Sequence, residues 1–208
     1  MDNSLVYRYL GAGQPDEKTA RLVSECVKTV KEKSRFRAVH KKYTLTHEPL
    51  VIKELGLALP SRDLRQYLSG CGECVVIACT LGFETDREIR YYQHLDMAKA
   101  VVLHRAAARY LEYKCDEYQR ENLPAPYTFR FAPGYGDIPL SLNIPLSQAL
   151  DAAKIIGLQT GRGGTFAPAK SMLGIVGLGK ETEKDCMSCP RLDGCTLRKQ
   201  GRRCYLPG

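Results

Sequence analysis

The apolar positions of this chain follow a helical period in some stretches and a strand period in others. From Pro15 and Asp16 to about Lys33, Ala20, Val23, Val27 and Val30 recur at three- and four-residue steps, which predicts a helix with one packed and one solvated face. Ala38 to Leu45 predicts a short strand with Val39, Tyr43 and Leu45 turned inward. Ser61 reads as the N-cap of a short helix that carries Leu64 and Leu68 and stops near Gly70. Cys74 to Leu81, CVVIACTL, is a continuous apolar run rich in β-branched residues, the pattern of a buried strand. Helical spacing resumes over Asp86 to about His94 and over Asp96 to about Glu121. In the latter, Ala98, Val101, Val102, Ala106, Leu111 and Cys115 are expected to pack inward. Pro124 and Pro126 end that helix, because proline lacks an amide donor and restricts the residue before it. Tyr127 to Ala132, YTFRFA, alternates as a half-buried strand does and runs into the turn PGYGD. Pro145 to Ile155 predicts a further helix, and strands around Leu158 and from Met172 to Leu178 close the body. The expected fold is α+β, with packed helices on a mostly antiparallel, twisted sheet.

Composition adds limits. With 208 residues and 44% hydrophobic content the chain can bury a sizeable core, and the expected organisation is a body over 1–180 with a small tail over 181–208. No apolar run approaches the roughly 18 residues needed to cross a bilayer, and the first residues lack a basic stretch followed by an apolar one. A cytoplasmic protein with no membrane partner is the expectation. Net charge is +8, but the basic residues concentrate in Arg35 to Lys42 and Lys180 to Arg203 without interleaved aromatics, so nucleic acid is not the expected partner. His40, His47, His94 and His104 are scattered and read as surface or helix residues, and no nucleophile–base pair stands out.

Nine cysteines in a cytoplasmic chain argue against a disulfide framework. Cys26, Cys79 and Cys115 fall on apolar stripes and read as small core residues. Cys71 and Cys74 form a C-x-x-C at a turn, explained by packing or by a redox or metal role. Cys186, Cys189, Cys195 and Cys204 follow a C-x2-C-x5-C-x8-C spacing, a four-cysteine metal-binding tail in which Pro190 and Gly194 supply turns. Four thiolates suit an iron–sulfur cluster or structural zinc. The compact spacing resembles the auxiliary-cluster ligands of some radical enzymes and favours iron–sulfur.

Several segments occur together in an order that resembles the activation domain family of cobalamin-dependent methionine synthase. They are RYLG at Arg8 to Gly11, CTLGFETDREIR at Cys79 to Arg90 followed by Asp96, RFAPGYGDIPL at Arg130 to Leu140, and AKSMLGIVGL at Ala169 to Leu178. The resemblance implies a free-standing domain that binds S-adenosylmethionine and supports reductive remethylation of cobalamin. It would place Arg130 near the methionine carboxylate, the main chain around Ala132 and Gly134 against the ligand, and Tyr135 near the sulfonium methyl. A guanidinium suits a carboxylate, glycine admits close approach, and an aromatic ring favours a neighbouring cation. Asp137 reads as a turn residue. The Asp-x-His-x-x-Gly motif of a cobalamin carrier is absent, so cobalamin is expected on a separate methionine synthase or corrinoid protein, with a possible electron donor. The chain differs from the family at Gln159 to Pro168, QTGRGGTFAP, where Arg162 among glycines replaces an acidic residue. That difference motivates an alternative, a non-catalytic or electron-transfer iron–sulfur accessory in corrinoid metabolism.

Overall fold

A computed structural model describes residues 15–182 together with Val6, Tyr7, Leu10, Gly194, Cys195 and Lys199. In chain order its elements are α1 (Glu17–Lys33), β1 (Arg37–His47), β2 (Leu50–Ile52), β3 (Leu57–Ala58), α2 (Arg62–Tyr67), β4 (Glu73–Thr80), α3 (Phe83–Leu95), α4 (Met97–Asn122), α5 (Asn143–Ala149), α6 (Ala152–Ile156), β5 (Gln159–Thr160), β6 (Phe166–Ala167) and β7 (Ser171–Gly177). The fold is α+β. A five-stranded antiparallel sheet runs in the order β3-β2-β1-β4-β7, and β5 pairs with β6 in a separate small hairpin.

The apolar run of β4 is continuous because both faces of the sheet are covered. Cys74, Val76 and Ala78 enter one hydrophobic cluster with Leu64, Leu68, Leu146 and Ile156, from α2, α5 and α6 and their ends. Val75, Ile77 and Cys79 enter the other with Val23, Val27, Ile89, Leu103 and Leu111, from α1, α3 and α4. Strand residues point alternately to opposite faces, so this sorting is the expected one. The register Val39↔Ala78 and Ala78↔Leu173 sets β4 between β1 and β7.

The helix boundaries follow local chemistry. Asp16 caps α1 by accepting from the Thr19 amide at 2.7 Å, and Asp96 caps α4 by accepting from the Lys99 amide at 3.0 Å. Each cap contributes about 1 kcal/mol. The helix read from Asp86 starts earlier, at Phe83, directly after Gly82, which offers no side-chain cap and so leaves no polar signal at the true start. Along α4 the inward face is Ala100, Leu103, Ala107, Leu111, Cys115 and Gln119 with Val102 and Ala106 beside it. Ala98 and Val101 lie outside it, Val101 being 46% exposed, because the stripe is set by contact with α1, α3 and β4. The helix expected over Pro145 to Ile155 is two short ones, broken where Asp151 adopts φ 51. The hairpin β2–β3 had no counterpart in the sequence reading.

Candidate functional site

The segment from Tyr127 to Phe131 lies along the outer edge of β7 and leads into a turn that runs to Leu140. Tyr127↔Leu178 and Phe131↔Ile175 are isolated bridges, so YTFRFA is not a continuous sixth strand as its alternation suggested. Phe131 N–H donates to Ile175 O at 2.9 Å and Ile175 N–H returns a bond to Phe131 O at 2.8 Å. Between the bridges the Thr128 amide donates to Gly177 O at 2.9 Å, and side-chain bonds complete the pairing. The Gly177 amide donates to Thr128 Oγ1 at 2.9 Å, and the Phe129 amide to Thr182 Oγ1 at 3.0 Å.

Arg130 projects from this segment toward α4. Its side chain is 3% exposed and ion-paired with Asp116 at 2.5 Å, while Nη1 donates to Gln119 Oε1 at 2.7 Å. Gln119 is itself buried and donates to Thr128 O at 3.2 Å, which ties the guanidinium's partner back to the same segment. Burial opposes the charge on Arg130, and the Asp116 carboxylate with its hydrogen bond supports it, so the guanidinium stays cationic. Its Nε has no hydrogen-bond partner, a condition shared with Arg109 Nε, Thr85 Oγ1 and Asn143 Oδ1 among the described residues.

The turn that follows is closed by its own backbone. The Tyr135 amide donates to Ala132 O at 3.0 Å, the Gly134 amide to Ile138 O at 3.0 Å and the Ile138 amide to Tyr135 O at 3.1 Å. Tyr135 is 45% exposed, with its ring centroid 6.4 Å from that of Phe131. Arg130, Ala132, Gly134 and Tyr135 therefore gather in one short stretch, with Arg130 beneath α4 and Tyr135 beside Phe131 of the opposite core. Asp137 does more than turn the chain. Its carboxylate accepts from the Ser61 hydroxyl, from the Arg62 amide at 2.8 Å and from the Asp63 amide at 3.3 Å, clamping the turn onto the start of α2. The Ser61 hydrogen bond and then the two amides hold that carboxyl below the usual range. Gly136 adopts φ 51, a left-handed conformation that favours glycine, and a Cβ there would displace the Asp63 carboxylate.

The glycine-rich stretch that differs from the family packs on the other side of the same turn. Asn143 Nδ2 donates to Gly164 O at 2.9 Å, and a Cβ on Gly164 would meet the Leu140 carbonyl. Arg162 at its tip is exposed. A cleft of about 480 Å³ lies further along, lined by Ser147, Gln148, Asp151, Lys154 and Thr160 among others, away from Arg130.

Five of the cysteines are free thiols buried in the two cores, Cys26, Cys71, Cys74, Cys79 and Cys115. Burial pushes the Cys74 thiol up to about 12 and that of Cys26 up to about 11, and it also raises Cys71 and Cys115. These are neutral, unreactive groups, which favours the packing explanation for the Cys71–Cys74 pair. Of the tail, Cys195 is a half-buried free thiol, whereas Cys186, Cys189 and Cys204 lie outside the described residues. Among the described residues no three His, Cys, Asp or Glu side chains are grouped to hold a metal ion, and no helix is long and apolar enough to cross a membrane.

An α+β domain with helices on both faces of an antiparallel sheet, and an arginine-tyrosine turn laid along its edge, is thus the class of structure present. Among solved structures it is similar to the crystal structure of the MetH reactivation domain bound to AdoHcy, with a TM-score of 0.57 and 16% sequence identity over 95% of this chain and 77% of that one. The likeness is one of fold. No known family profile matches the chain, and no curated protein does either.

Proposed function

We propose that the chain binds S-adenosylmethionine at the Arg130–Tyr135 turn and serves as a reactivation component for cobalamin held by a separate methionine synthase or corrinoid protein. The reading rests on one observation, that the RFAPGYG turn is held as a closed, clamped unit within a fold shared with a domain that binds AdoHcy, the demethylated form of that ligand. Arg130 and Asp116 together offer the two charges that a zwitterionic amino-acid end requires, a cation for the carboxylate and an anion for the ammonium. The exposed Tyr135 ring suits the neighbouring sulfonium. When cobalamin is brought by the partner, the methyl transfer is the cofactor's chemistry, and this chain supplies position and electrostatics.

Calorimetric titration tests the reading. S-adenosylmethionine should bind, and Arg130→Met should weaken it by about 1.5–3 kcal/mol, the range for a hydrogen bond to a charged group. Absence of heat and of thermal shift at millimolar ligand defeats it. The near-complete burial of Arg130 favours a second reading, in which that residue is purely structural and the chain is an accessory whose tail cysteines, Cys186, Cys189, Cys195 and Cys204, hold an iron–sulfur cluster or zinc. Iron and sulfide in anaerobically purified protein, lost in Cys186→Ser, would support the cluster, and stoichiometric zinc the alternative.

A further inference from the structure

The cleft of about 480 Å³ between α5, α6 and β5 takes no part in the function proposed above. Its volume is that of a site for a small organic molecule. The floor is apolar, made by Ile144, Ala152 and Leu158, the last two fully buried. The polar groups stand on the walls, and their bonding capacity is unevenly used. Thr160 Oγ1 donates to Ser147 Oγ at 2.8 Å, and Ser147 Oγ donates in turn to Ile144 O at 3.0 Å. Both hydroxyl protons are spent within the protein, so Thr160 offers the cleft lone pairs only. Asp151 stands at the corner between α5 and α6 with φ 51, the single positive φ of a non-glycine among the described residues. It is fixed there by its amide on Gln148 O at 2.9 Å and by the Lys154 and Ile155 amides on its carbonyl, each at 3.0 Å. Side chains seldom adopt this conformation, and those that do are held by their surroundings. Lys41 Nζ, anchored on Ala149 O at 2.7 Å, lies 3.5 Å from Asp151 Oδ2, and Oδ1 has no partner among the described residues. Lys154, one turn further on, is exposed, and its ammonium has neither an ion pair nor a hydrogen bond among the described residues.

We infer that this cleft binds a free amino acid with an apolar side chain. Two opposite charges three residues apart, each with capacity to spare, match the two ends of a zwitterion. Asp151 Oδ1 and the proton-free side of Thr160 Oγ1 accept from the ligand's ammonium. The Lys154 ammonium donates to its carboxylate, a charge-assisted bond. The ligand's side chain covers Ile144, Ala152 and Leu158, and removing that surface from water supplies the apolar part of the affinity. Other ligand classes fit the lining less well. No aromatic ring lines the cleft to stack a nucleobase, and one lysine is too little cation for a chain of phosphates. A simple carboxylic acid would bring its charge against Asp151, and a simple amine would bring its own against Lys154, so the pair selects for a ligand that carries both. Because Asp151 and Lys154 are exposed, water screens both contacts and the affinity is expected to be millimolar.

The full-length chain is titrated with L-leucine and L-methionine while its backbone amide NMR spectrum is recorded, beside 4-methylpentanoate and 3-methylbutylamine, which keep the apolar body of leucine and one charge each. Both amino acids should produce saturable shifts at the amides of the cleft, Ile144 to Thr160, and each single-charge analogue should bind about tenfold more weakly. Lys154→Gln should weaken L-leucine by about the same factor and leave the remainder of the spectrum in place. Asp151→Asn, which removes the charge and keeps a residue tolerant of positive φ, should do likewise. No saturable shift at millimolar L-leucine or L-methionine overturns the inference. So does an analogue that binds as well as the amino acid, or an affinity unchanged in Lys154→Gln. Shifts centred on Arg130 to Tyr135 would place the amino acid at the turn instead and overturn it too, while leaving the S-adenosylmethionine reading standing.

Discussion

Replacement of Asp116 by alanine is the sharpest perturbation of the Arg130 cluster. The guanidinium would keep its bond to Gln119 at 2.7 Å and its place 5.1 Å from the Phe129 ring centroid, but lose the carboxylate at 2.5 Å. Breaking a fully buried ion pair costs about 3–5 kcal/mol, because the remaining charge stays desolvated. Asp116 is 38% exposed, so water screens its side of the pair, and the loss should fall to about 2–3 kcal/mol. For a chain of this size about 1 kcal/mol moves Tm by ~2–4 °C, and the expected fall is ~4–12 °C by circular dichroism. Replacing both partners, Asp116→Ala with Arg130→Met, should recover part of the loss, since no buried charge is then left behind. A single-variant Tm within a degree of the parent, or a double variant less stable than the two losses summed, would show that Arg130 is not held as a desolvated, carboxylate-dependent cation.

Two further outcomes follow from the same geometry. Asp137→Ala should lower stability by roughly 0.5–1.5 kcal/mol, since an exposed capping carboxylate acts at the lower end of its range. The Asp137 carboxyl is lowered on folding, so its contribution is present above the ordinary carboxylate pKa and lost as pH falls through the depressed one. Urea midpoints of parent and Asp137→Ala should therefore converge toward acid, and divergence there refutes the clamp. Cys26, Cys71, Cys74, Cys79 and Cys115 should stay silent to a thiol reagent at pH about 8 until denaturant is added, because all five are covered and burial raises the thiols of Cys26, Cys71, Cys74 and Cys115. Rapid labelling of Cys74 in the native protein counts against the packing explanation.

Much of this architecture was legible in the sequence because its strongest signals are local. The Asp16 and Asp96 caps, the 3.6-residue stripe of α1 and the unbroken apolar run of β4 each follow from a few neighbours in the chain. What was missed depends on distant partners. The facing of α4 is set by α1, α3 and β4, so Val101 looks apolar and inward yet lies outside. The break at Asp151 sits within an otherwise helical pattern. At the site, RFAPGYG drew attention to the right stretch, but nothing local indicated that Asp137 reaches residues 61–63 or that Lys170 meets His104, 66 positions away. A signal for the first was present in Ser61, already recognisable as a cap with an acidic residue free to join it.

The two bridges along β7 have a consequence for how copies of this molecule meet one another. An edge strand with unpaired amides and carbonyls is a template for any other extended chain. Here the other end of the sheet finishes in the two-residue β3, too short to recruit a neighbour, whereas β7 is long and apolar and its outer amides at Ile175, Gly177 and Gly179 are covered by one irregular segment, Pro126 to Phe131. That segment is the one that carries Arg130 and leads into the turn. Whatever holds the turn in place, Asp137 from within or a ligand from outside, also keeps the longest open edge of the sheet closed, so loosening it should appear first as self-association and only then as unfolding.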